Sequence, residues 1–240
     1  MPVLVALPPL VVGAIGLSHP VFLTPETAQL WRLGHLLLLP AFPLLAVSLL
    51  VLLRGESGPA AWAARGLALA YAVLYGALDS IAGLGAPQQV LRTTERGEPA
   101  PPVGDLYEIG DRLGALGVYA LMGAVVLTGA LLYLRGRSPL ALLGSVVGLA
   151  ASYVFLRHHV FPPRGVLAMV GIAAGFALLE LSRREPAGAA ASGACAASLA
   201  AVCLEGREAG ACTGAACAAA DIGTDTNVAT AGSTANAVRI

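Results

Sequence analysis

Four histidines and one aspartate carry most of the chemistry that this chain offers. His19 closes the first apolar stretch, His35 opens the second, and His158 and His159 close the fifth; Asp79 lies in the third, towards the same end. Neutral imidazole is the commonest metal ligand and titrates near neutrality. Two histidines with a carboxylate suit zinc, copper or iron, and two facing imidazoles suit the axial positions of a haem. The same groups also relay protons. The chain has no H-E-x-x-H and no histidine pair four residues apart, so no single helix presents a ligand set. His158 and His159 are adjacent, and on a helix adjacent side chains diverge by ~100°. Only loop geometry would turn both towards one ion. The bland alternative is a set of polar residues at an interface.

The elements that must position these residues are membrane helices. Hydrophobic residues make up 57% of the 240 and charged ones 12%, with a mean hydropathy of +0.79. A soluble domain carries about 25% charged residues, so the polar surface that water requires is missing. Net charge is zero, with 14 basic residues, all arginine, against 14 acidic ones; no basic field points to nucleic acid. The absence of lysine, with the Ala/Gly/Pro bias, suggests a GC-rich, bacterial genome. Six apolar segments stand out, at about 3–17, 33–53, 66–85, 113–134, 140–156 and 166–181. A bilayer core takes ~20 helical residues to cross, with ~17 tolerated. The first segment is the shortest and carries Pro8 and Pro9; a signal peptide is its alternative reading, although no basic residue precedes it. The expected fold is all-α, a polytopic membrane bundle of about six transmembrane helices over 1–186, followed by a disordered tail over 187–240. Counting crossings puts all four histidines at one edge, here called side A.

Asp79 lies about six residues inside the A end of the third segment. An unpaired carboxylate there costs at least ~2.5–3.5 kcal/mol on insertion scales, so it is expected to be paired, protonated or wet. Arg112 is one possible ion-pair partner and the histidines are the others. Pro40 and Pro43 free backbone carbonyls in the second segment, so its kink is expected to face protein or a cavity. The fifth and sixth segments each carry a G-x-x-x-G, Gly144 with Gly148 and Gly171 with Gly175. Such stripes let helix backbones approach closely; packing within the chain is expected, with homodimerisation as the alternative. His19-Pro-Val-Phe22 is faintly echoed by His158-His-Val-Phe161.

One long connection, 86–112, is rich in proline and glycine and is expected to be an exposed linker, its second half forming a short helix into the fourth segment. Beyond Pro186 lie every cysteine (Cys195, Cys203, Cys212, Cys217) and both asparagines. No C-x-x-C occurs among them, so zinc-finger and thioredoxin patterns are absent. Walker A, G-x-S-x-G and G-x-G-x-x-G signatures are absent as well. Arginines divide evenly between the two edges of the bundle. The Arg135–Arg137 turn and the Arg183-Arg184 pair favour side B as cytoplasmic, with both termini inside. Two functions are expected from this: a transporter or redox accessory of the cytoplasmic membrane, with a His/Asp site for a transition metal, haem or protons; or a non-catalytic scaffold that joins a membrane partner through its glycine stripes.

Overall fold

The computed structural model describes residues 1–99 and 101–184. The tail expected to be disordered, with its four cysteines, lies outside the described residues. Six helices cover most of the rest: α1 (Pro2–Gly16), α2 (Ala28–Leu52), α3 (Pro59–Glu95), α4 (Gly104–Gly136), α5 (Pro139–His158) and α6 (Arg164–Ser182). No strand occurs among the described residues. The last five are long and apolar enough to cross a membrane; α1, at 15 residues, reaches only ~22 Å.

Each helix packs on its neighbour in sequence, and α1 closes the circle against α6. The result is a closed ring of six helices. Phe42, Leu45, Leu49, Tyr71, Leu121, Ile172 and Phe176 fill its interior, while Leu37, Leu69, Val73, Leu116, Val146 and Leu167 are exposed on its outside. Apolar residues on both faces are what a bundle dissolved in hydrocarbon requires, and far more apolar surface than a soluble monomer shows.

Two helices depart from the expected boundaries. The third segment was expected to end at Gly85 and give way to the long linker, but α3 runs on to Glu95. A π-helical turn occupies Asp79–Gly85, and Pro87 falls in the first turn of the helical segment that follows it. Proline's fixed φ is compatible with the start of that segment, and the wider π-turn before it lets the chain run past Pro87 without a break. Ala86, Pro87 and Val90 are buried, on a segment that packs on α2. At the other end of the linker α4 begins at Gly104, so only 96–103 connects the two. Within α2 the bend falls at Phe42, between the helical segments Ala28–Ala41 and Pro43–Leu52.

The glycine stripes face each other inside the chain. A Cβ on Gly144 would meet the carbonyl oxygen of Gly175 at 2.9 Å, one on Gly175 would meet Gly148 at 2.8 Å, and one on Gly171 would meet Ala151 at 2.7 Å. Bare backbone contact of this kind replaces the hydrophobic drive that lipid cannot supply. On side B, Arg54 makes a paired contact with Glu180 at 2.5 and 2.7 Å, and Arg135 reaches Glu56 at 2.6 Å. Arg183 donates to the carbonyls of Leu52 and Arg54, and Arg65 to those of Leu53 and Glu56. These arginines satisfy the orphan carbonyls at the end of α2 and gather the B ends of α2, α4 and α6 on one side.

Candidate metal centre

At the opposite edge, four elements deliver one cluster. The α1–α2 link carries His19. The buried face of α2 carries Trp31 and His35, four residues apart. One face of α3 carries Tyr71, Tyr75, Asp79 and Gly83, again at four-residue spacing. The α5–α6 link carries His159. The two links are held together at Gly16, where a Cβ would meet the carbonyl oxygen of Val160 at 2.7 Å. His35 lies over Gly83 so closely that any side chain there would collide with the imidazole. The π-turn that begins at Asp79 places that glycine beneath the ring.

His159 adopts φ 48 and ψ −137, a conformation that L side chains rarely take. This turns the chain sharply after His158 and separates the two adjacent imidazoles. His19 is 5% exposed, His35 2% and Asp79 0%. His159 is half-buried and lines a cavity.

The hydrogen bonds fix which nitrogens are free. Nδ1 of His35 lies 2.6 Å from Oδ1 of Asp79, and Nδ1 of His19 lies 2.7 Å from the carbonyl of Pro20. A carbonyl and a carboxylate only accept, so each Nδ1 carries the hydrogen and donates it. Both Nε2 atoms then turn their other side to each other, 2.9 Å apart. Nδ1 of His159 is engaged by the hydroxyl of Tyr75, and its Nε2 has no partner among the described residues. One ring nitrogen from each of His19, His35 and His159 lies within 4.8 Å of the others. Burial, and then the neighbouring His35, push the pKa of His19 down to about 4. Burial, then His35 and His19, hold His159 well below the usual imidazole range. Both are therefore neutral donors at physiological pH. The second oxygen of Asp79 is buried and has no partner among the described residues.

A cavity of about 710 Å³ opens beside the cluster, with Trp31, His35, Tyr75 and His159 in its wall. It separates the A halves of α4 and α5, which contribute Ala115, Val118 and Tyr119 on one side and Phe155, Leu156 and His158 on the other. The B halves of the same helices are tight, with Gly129 against Ser145 and Gly148 against Val125. The two helices are joined at side B by the two-residue turn 137–138.

Of the residues singled out by sequence, His19, His35, His159 and Asp79 come together. His158 lines the cavity but stands outside the trio. Arg112 is not the partner of Asp79: it is exposed and pairs with Glu108, one turn back on α4, because α4 starts earlier than expected and carries both residues on its outer face. Tyr75, Gly83 and Trp31 were missed, and so was Glu180, a second fully buried acid. The recurrence of Tyr71, Tyr75, Asp79 and Gly83 at every fourth position was the signal for the first two. The chain matches no family model, no curated protein and no solved structure, so the chemistry of the site is argued from its geometry.

Proposed function

We propose that this is a cytoplasmic-membrane protein that holds one divalent transition-metal ion on His19, His35 and His159, with side B and both termini cytoplasmic. The observation that carries the reading is the 2.9 Å contact between two Nε2 atoms whose rings have already spent their Nδ1 hydrogens on acceptors. Facing lone pairs need a cation between them. A proton serves two nitrogens; the third imidazole, within 4.8 Å, favours a metal. Asp79, the Pro20 carbonyl and Tyr75 then serve as the outer partners that orient metal-bound histidines and tune their basicity.

Imidazole donors suit zinc, copper, iron or nickel. With bonds of ~2.0–2.1 Å a tetrahedral ion sets its donors ~3.3 Å apart, so binding spreads the close pair slightly and draws the third ring in. Haem suits the site less well. An axial pair sets its two nitrogens about twice a metal–nitrogen bond apart, ~4 Å, with a flat macrocycle between the rings, whereas the Nε2 atoms of His19 and His35 are 2.9 Å apart. Fully buried Leu45, Leu49 and Phe176 fill the core on the B side of Tyr71, which favours a resident ion over a transported one. Three imidazoles and a cavity-facing position suit an ion that activates water or polarises an oxygen ligand.

The test is a Co²⁺ titration of the full chain, purified in detergent with its four cysteines changed to serine so that thiolates do not compete. One equivalent should bind with visible ligand-field bands, and His35→Ala should abolish them. Binding left unchanged by His35→Ala would sink the reading and leave the scaffold alternative, in which the ring is only a platform for a membrane partner.

A further inference from the structure

We infer that the cavity beside the three histidines binds a membrane-resident amphiphile, whose oxygen-bearing head occupies the open position on the metal and whose apolar chain lies between α4 and α5. This rests on the metal reading and adds the class of ligand. The volume of about 710 Å³ falls within the ~300–1,000 Å³ of small-molecule sites.

The charged side chains of the wall lie at one end, where Val21, Phe22, Leu23 and Val103 line it as well. Asp111, Arg157 and His158 stand at the A rim, and neither Asp111 nor Arg157 has a salt-bridge partner among the described residues. Below them come Leu78, Val118, Phe155 and Leu156, and the α4 side of the wall continues to Tyr119. Tyr119 lies seven residues past Arg112, ~10 Å deeper along the helix, inside the apolar stretch. It is nevertheless 57% exposed. A residue that lines the cavity and also faces outward at that depth marks a side opening towards lipid.

The polarity of the cavity therefore matches that of a lipid in the side A leaflet, with the head near the water and the chain towards the midplane. A water-soluble ligand would have no use for the apolar half. Metal, histidines and Tyr75 hydroxyl lie where the head arrives, and an oxygen donor is what an imidazole-ligated divalent ion accepts as its further ligand.

The experiment uses the full chain with cysteines changed to serine, in phosphatidylcholine nanodiscs and loaded with Co²⁺. Acetohydroxamate and dodecanohydroxamate are titrated while the ligand-field bands are followed. The long probe should perturb the bands at a concentration at least 100-fold below the short one. Partition into the bilayer alone favours the long probe, so the deciding comparison is Ala115→Phe, which fills the cavity away from the ligands. It should weaken the long probe at least tenfold and leave the short one unchanged. Leu156→Trp, from the opposite wall, should do the same, and it decides the matter if Ala115→Phe disturbs folding. Intact Co²⁺ bands with equal long-probe affinity in wild type and both variants would overturn the amphiphile and spare the metal. Absence of Co²⁺ bands in the wild type would overturn both.

Discussion

The bundle buries two carboxylates completely, one near each edge, and they are built in opposite ways. Glu180 on side B has both oxygens on the guanidinium of Arg54, with Arg183 and Arg184 within 4.0 Å. Asp79 on side A has one oxygen on His35 and the other on nothing among the described residues. The acid at side B is over-supplied with positive charge and both its oxygens accept hydrogen bonds. The acid at side A is under-supplied, and in front of it the Nε2 atoms of His19 and His35 face each other. A saturated buried charge serves the fold; an unsaturated one with converging donors marks a place for something else.

That contrast can be broken by mutation. Its largest expected effect is on side B: Glu180→Ala leaves Arg54 and Arg183 facing each other and should destabilise the protein by about 3 kcal/mol, read as a lowered thermal midpoint in detergent. Folded Glu180→Ala protein should still bind Co²⁺ with unchanged bands. On side A the pattern reverses. Asp79→Asn keeps the shape and removes the charge, and should cost 10–100-fold in metal affinity while moving the thermal midpoint of the metal-free protein little. A midpoint lowered as much as in Glu180→Ala would make Asp79 a structural acid and erase the contrast.

Gly83→Ala sharpens the comparison further, since the three atoms nearest its methyl group all belong to the ring of His35. It should shift the Co²⁺ bands more than it shifts stability, and a change in stability without a change in the bands would refute the positioning role. The smallest effect belongs to Arg112→Ala. Its pair with Glu108 is exposed on both sides and worth at most ~0.5 kcal/mol, so both readouts should stay at wild-type values.

Much of this contrast was visible in the residues. Apolar length gave the helices, and crossing parity gathered the histidines on one side. Parity is robust because it depends only on counting. The register of individual side chains was not accessible in the same way. That His159 rather than His158 joins the cluster depends on a backbone turn with positive φ at a non-glycine residue, which no local pattern encodes. The extension of α3 past Pro87 depends on the π-turn before it, and proline alone argues for a stop. Glu180 escaped notice because it sits one residue inside a span boundary, where an acid normally reaches water; only the fold brings Arg54 over it.

The short turn between α4 and α5 has a geometric consequence. α5 is a rod of 20 residues, ~30 Å long, joined to α4 by a two-residue turn at side B. At that lever length, ~2° of rotation moves the A end by ~1 Å, and ~8° by about the width of a hydrocarbon chain. Since α5 is packed backbone to backbone on α6 through Gly144, Gly148 and Ala151, any such rotation would carry both helices, and the width of the cavity and the access to the three histidines depend on how that pair sits against α4.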